Sequence, residues 1–333
     1  MGGGKYGTRI EYIDALRGFA MLMVIFCHCT LFALEMEENA GCVVSIFSVV
    51  MLPLFFYISG LFALPHLRFS QIKNRGLYIL LPTLIMYLLY QRVHFGIYSH
   101  AIEYLGEEYK CGYWFTLVLV TINLMHFIVS KIVRKEVLVL PALILLCIAL
   151  LILKQWDWSH NGAFLCRWFS LRLLAEHLPY YIIGMACKRY WEWFHRIIRN
   201  ERVMALIFIT FILLFNLDRG GMYKAMVIGI LGSILAYRIC FANQQLLSSA
   251  TFIGRQLTII GRYTLPIYLV HYFFFLGINM SEIGTWLAST THHWLLTTLT
   301  CVILTIVITY SSILVAKLME SISPEIKPYV IGK

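Results

Sequence analysis

The chain has 333 residues, 60% of them hydrophobic and 13% charged, with a formal net charge of +10. Soluble domains carry about 25% charged residues, so a water-soluble enzyme is excluded and the chain belongs in lipid. The basic surplus implies membrane headgroups as partners and no nucleic acid.

A span needs roughly 20 apolar residues. Stretches between polar breaks lie near 15–34, 41–64, 76–92, 112–130, 136–153, 172–187, 203–217, 222–241, 256–278 and 293–317. The predicted fold is therefore all-α, a polytopic membrane protein of about ten transmembrane helices, one domain over 1–333 with short tails near 1–10 and 320–333. With the N-terminus inside, 20 of the 27 Lys and Arg fall in cytoplasmic segments, as the positive-inside rule requires. An even number of spans puts both termini in the cytoplasm.

The first stretch follows Lys5 and Arg9 in the manner of a signal peptide, but it carries His28 and no small-residue cleavage pattern, so it reads as a retained helix. Arg17 and His28 are eleven residues apart, about 16 Å along a helix and nearly on one face. Cys27 and Cys29 flank His28, yet successive helical residues point about 100° apart, so the three cannot share a metal. No metal is expected, and the nine Cys read as reduced packing thiols.

Further along, Ser59 and Gly60 close the second stretch, and Arg68, Lys73 and Arg75 crowd the next cytoplasmic loop. Glu103, Glu107 and Glu108 follow on the outer side, with Trp114 opening the fourth stretch. Trp156, Asp157, Trp158 and Trp168 occupy the next outer loop, and Glu176 and His177 open the sixth stretch. In the ninth, Thr264, Tyr268 and His271 form a polar stripe beside Pro266, which can bend the helix there. His271 lies nine residues after Arg262, about 14 Å from the cytoplasmic end, so it matches His28 in depth. Ionisable groups at such depth need a partner, an aqueous cavity or a function. Taken singly, Arg17 also fits an interfacial anchor, His28 and His271 an interhelical hydrogen bond, and the tryptophans an interfacial belt.

Five segments in order resemble the acyltransferase-3 family of membrane acyltransferases. They are Arg17, ten residues and His28, with Asp14 one turn earlier; the Pro53–Phe62 run with Ser59 and Gly60; the basic patch Arg68 to Arg75 before Pro82; Tyr113, Trp114 and Phe115; and the run from Gly261 to His271. The resemblance implies a roughly ten-helix enzyme moving an acyl group, commonly acetyl from acetyl-CoA, to a hydroxyl of a cell-surface or secreted glycan or a lipid-linked sugar. It also implies a bacterial inner membrane and glycan-biosynthesis proteins as partners. Arg17 and His28 become the leading functional residues.

The chemistry follows from residue types. Arg binds phosphate in a bidentate manner, so Arg17, Arg68, Lys73 and Arg75, with Ser59 and Gly60 alongside, are candidates for the CoA site. His28 suits a general base or an acyl-accepting nucleophile, and Tyr268, His271 or Arg17 a donor to the carbonyl oxygen. Trp114, Glu103, Glu176 and His177 are candidates for the acceptor. A transporter or flippase for a polysaccharide unit or small anion is the alternative, without the inverted repeat or paired broken helices typical of that class.

Overall fold

The computed structural model describes residues 10–36, 41–96, 101–155, 167–217, 221–290 and 293–332. Among these every regular element is helical, as lipid demands of backbone that must satisfy its own hydrogen bonds. In chain order the main elements are α1 Glu11–His28, α2 Cys42–Leu61, α3 Phe69–Arg75, α4 Leu81–Phe95, α5 Ala101–Leu105, α6 Trp114–Ile132, α7 Glu136–Gln155, α8 Leu171–Arg189, α9 Trp191–Arg199, α10 Glu201–Asn216, α11 Gly221–Ala242, α12 Phe252–Arg262, α13 Thr264–Gly277, α14 Ser281–Ser289, α15 His293–Ile322 and α16 Lys327–Val330.

All ten expected stretches are helical, as a polytopic all-α membrane protein requires. Among the described residues seven helices are long and apolar enough to cross a membrane, or eight if the bent pair α12 and α13 is one span. The α8 helix carries Arg172, Glu176, Lys188 and Arg189, and α10 has only 16 residues, which is why neither qualifies on length and composition.

Two local breaks matter for the site, and proline accounts for both. Pro266 has no backbone N–H and its ring collides with the carbonyl four residues earlier. A straight helix through 256–278 would place that carbonyl at Arg262, and there the chain turns by 81° between α12 and α13. Pro82 acts similarly on the Tyr78 carbonyl, and a π turn at Gly76–Leu80 absorbs the misfit between α3 and α4. A second π turn, Cys29–Ala33, follows His28 directly.

The centre of the molecule is α1, whose residues Ile13 to Cys29 are mostly buried. Its N-terminal half rests on α12, where Gly18 meets the Leu257 backbone carbonyl and Gly261 meets that of Asp14 with no room for a Cβ. The same device seats α2 on α8, with Gly60 against the Tyr181 carbonyl and Gly184 against that of Tyr57. Small residues at such crossings let helix backbones touch where lipid offers no hydrophobic drive to associate.

Candidate functional site

Between α1, α2, the π turn before α4, the start of α6 and α13 lies a cavity of about 320 Å3. Arg17, Ser59 and Thr264 line one end, and His28, Tyr272 and Gly112 line the other. The wall between is apolar, with Met21, Val24, Met51, Leu52 and Phe55 among its residues. The spacing of Arg17 and His28 on one helix thus becomes two ends of a single chamber.

The 81° turn sends α13 back along the C-terminal half of α1, and this brings His271 to His28. His28 Nδ1 lies 2.9 Å from His271 Nε2, with the rings nearly parallel at 7°. His271 is fully buried, and its Nδ1 lies 3.0 Å from the Ile267 carbonyl oxygen. A carbonyl only accepts, so His271 Nδ1 carries a proton and, in the neutral ring, Nε2 does not. His28 Nδ1–H therefore donates to His271, which leaves His28 Nε2 with its lone pair. His28 is half-buried and faces the cavity. Phe32, Tyr272 and Phe275 surround its ring at centroid distances of 5.2, 5.3 and 6.4 Å.

Tyr268 also lines the cavity, its hydroxyl donating to the Gly112 carbonyl at 2.7 Å. Gly112 ends a tight left-handed run in which Lys110, Cys111 and Gly112 have φ of 47°, 50° and 91°. A Cβ at Gly112 would collide with the Tyr272 ring. The run is pinned by Lys110, which is 3% exposed and whose ammonium donates to the Glu107 and Arg167 carbonyls at 2.7 and 2.8 Å. Burial pushes the Lys110 pKa down to about 8, against the opposing pull of Glu108 and Glu107.

At the other end, Arg17 Nη1 lies 3.5 Å from Asp14 Oδ1, and its guanidinium sits 5.1 Å from the Phe62 ring centroid. Asp14 is buried, so the pair holds Arg17 near the chamber mouth with part of its guanidinium exposed.

The remaining candidates divide. Ser59 and Trp114 line the chamber, whereas Gly60 faces α8. Arg75 turns between α6 and α8 to donate to Asn123 Oδ1, which also accepts from the Tyr181 hydroxyl at 3.3 Å. Arg68 and Lys73 are exposed on the surface around α3, outside the chamber lining. Glu103 is exposed on α5. Glu176 pairs with Lys154 and with Arg172 at 3.4 Å. His177 is buried with its ring 5.2 Å from that of Trp114.

His271 stands behind His28, and the stripe of α13 that lines the chamber is Thr264, Tyr268 and Tyr272. Tyr272 and Gly112 are chamber residues that carried no distinctive sequence signal, one lying inside an aromatic run and the other in a loop. Cys27 and Cys29 diverge toward Val44 and Thr305. Among the described residues no three His, Cys, Asp or Glu converge as a metal site would require.

The chamber thus has an imidazole with a lone pair at one end and a guanidinium at the other. The acyltransferase-domain family matches residues 10–314. The chain belongs to this family and is a membrane acyltransferase. Neither curated proteins nor solved structures gave a match.

Proposed function

We propose that the protein is an O-acyltransferase that moves an acyl group, acetyl in the first instance, from acyl-CoA to a hydroxyl of a cell-surface or secreted glycan. The observation that carries this reading is the hydrogen bond from His28 to His271 within a chamber whose far end holds Arg17. Arg17 binds phosphate of the CoA head at the mouth, as a guanidinium does in a bidentate manner. The apolar wall of Met21, Val24, Met51 and Leu52 covers the pantetheine arm. The thioester then lies near His28, about 16 Å further along α1.

The acceptor hydroxyl oxygen attacks the thioester carbonyl carbon while its proton passes to His28 Nε2. Collapse of the tetrahedral intermediate breaks the C–S bond, and the proton leaves with the thiolate as free CoA. The imidazolium formed on His28 is oriented and partly stabilised by His271 Nε2, whose proton on the far nitrogen is held by the Ile267 carbonyl. The Tyr268 hydroxyl, after turning from Gly112, is a neutral donor in the chamber lining for the carbonyl oxygen. The lone pair on His28 supports base catalysis and equally equips the same nitrogen for direct acylation. A bacterial inner membrane is the setting this function fits.

Release of free CoA by the purified protein in nanodiscs, with and without extracted envelope glycans, tests the reading. Glycan-stimulated release that disappears in folded His28→Ala supports it. Release that ignores glycan, or that survives in His28→Ala, overturns it.

A further inference from the structure

A second cavity, of about 200 Å3, lies on the other side of α2 among α7, α8 and α11, lined by Ser48, Leu52, Glu176, His177, Tyr180 and Met226 among others. The polar groups of His177, Tyr180 and Glu176 are buried or half-buried but incompletely partnered among the described residues. His177 and Tyr180 are 9% and 6% exposed. The His177 Nδ1–H donates to the Leu173 carbonyl at 2.7 Å, which leaves Nε2 an acceptor with no partner among the described residues. The Tyr180 hydroxyl bonds to no described residue. Both cation contacts of Glu176, to Lys154 and Arg172, use the same carboxylate oxygen, Oε1, so Oε2 is open.

Two acceptors and one hydroxyl that both donates and accepts match a ligand rich in O–H groups. An anion would meet the carboxylate and the imidazole lone pair, and an alkyl chain would leave all three unpaired, at a cost of about 1–3 kcal/mol for each buried group. The apolar side chains of Leu52 and Met226 suit the C–H faces of a ring.

The two cavities share a wall one side chain thick. Leu52 lines both, and Trp114 lines the His28 chamber while its ring sits 5.2 Å from that of His177. We propose that the second cavity is the acceptor subsite, taking one neutral sugar ring of the glycan, and that Leu52 and Trp114 form the partition its reacting hydroxyl crosses to reach His28. This deepens the acyl-transfer reading and rests on it.

The test uses the full-length protein in nanodiscs, acetyl-CoA and lipid-linked glycan extracted from the host envelope, with Tyr180→Phe and His177→Phe. Both substitutions keep an aromatic ring; Tyr180→Phe removes only the hydroxyl on offer, and His177→Phe removes the free Nε2 together with the N–H held by the Leu173 carbonyl. The expected result is a rise of about tenfold in half-saturating glycan, the equivalent of one lost hydrogen bond, with half-saturating acetyl-CoA unchanged. Unchanged glycan half-saturation in both variants overturns the subsite and leaves acyl transfer standing. Equal rises for glycan and acetyl-CoA overturn it too, since they report general packing. No glycan-dependent release by the wild type removes the subsite together with the transfer reading.

Discussion

A histidine deep in a membrane helix is chemically ambiguous until both of its nitrogens are accounted for. For His28 the account runs through His271 to the Ile267 carbonyl, and it fixes which nitrogen can take a proton. Replacing His271 with Phe keeps the ring stack and removes the acceptor, so His28 loses its preferred tautomer. Steady-state kinetics on His271→Phe should show kcat lower by about 10–100-fold, a fraction of what a positioned base contributes, with the acetyl-CoA KM unchanged. Wild-type kcat would reduce the bond to packing. At the mouth, Arg17→Ala should raise the acetyl-CoA KM by about tenfold or more, in line with loss of a charge-assisted phosphate contact, whereas an effect confined to the glycan KM would detach Arg17 from the donor. These residues were legible in the sequence because polar groups stand out in apolar stretches. Tyr180 and Tyr272 were not, since a tyrosine among aromatic residues looks the same whether it packs or lines a cavity. Arg75 shows the converse. Its position in a basic loop suggested CoA, yet the side chain turns inward to Asn123, a long-range pairing that no local pattern encodes.

At the scale of elements, the chamber exists because α1 is clamped at one end and α13 is bent to meet the other. The clamp is the glycine contact of Gly18 and Gly261. A Gly261→Val change drives a side chain into the Asp14 backbone and should destabilise the protein by about 1–3 kcal/mol, the usual range for overpacking. A thermal-unfolding midpoint equal to wild type would show that the contact is loose. The Lys110 turn supports the chamber floor from outside and predicts a pH effect. Its folded pKa near 8 is below its unfolded value, so between about pH 8 and 10.5 the unfolded chain holds more protons and stability rises with pH. Thermal midpoints measured over that window should climb for wild type relative to Lys110→Met, and parallel curves would remove Lys110 from the cause. The helices themselves were legible from hydropathy. The 81° bend was only half so, because Pro266 marks where a helix must break but not the direction in which the chain leaves.

For the whole molecule, composition alone placed the chain in a membrane, and the ordered motifs gave its family. The number of spans was less legible. Glu201–Asn216 has only 16 residues and Leu171–Arg189 carries four charged side chains, so apolar length alone marks neither as a span. The proposed function needs the Arg17 end of the chamber to face the cytoplasm, the side on which the distribution of Lys and Arg would put it. Single cysteines at Arg196 and Glu103 in an otherwise cysteine-free protein should react with a membrane-impermeant maleimide from the cytoplasmic and the outer side respectively. Labelling of both from one side would contradict that topology.

Transfer of the acceptor's proton to His28, in a chamber filled by the acyl donor, is the step on which the proposed function rests. Its most direct test is glycan-stimulated CoA release from acetyl-CoA by His28→Ala, purified in nanodiscs and shown to bind acetyl-CoA as wild type does. Donor binding is expected to stay intact while release falls by about 10²–10⁴-fold, the range of a positioned general base. Release at the wild-type rate would contradict it.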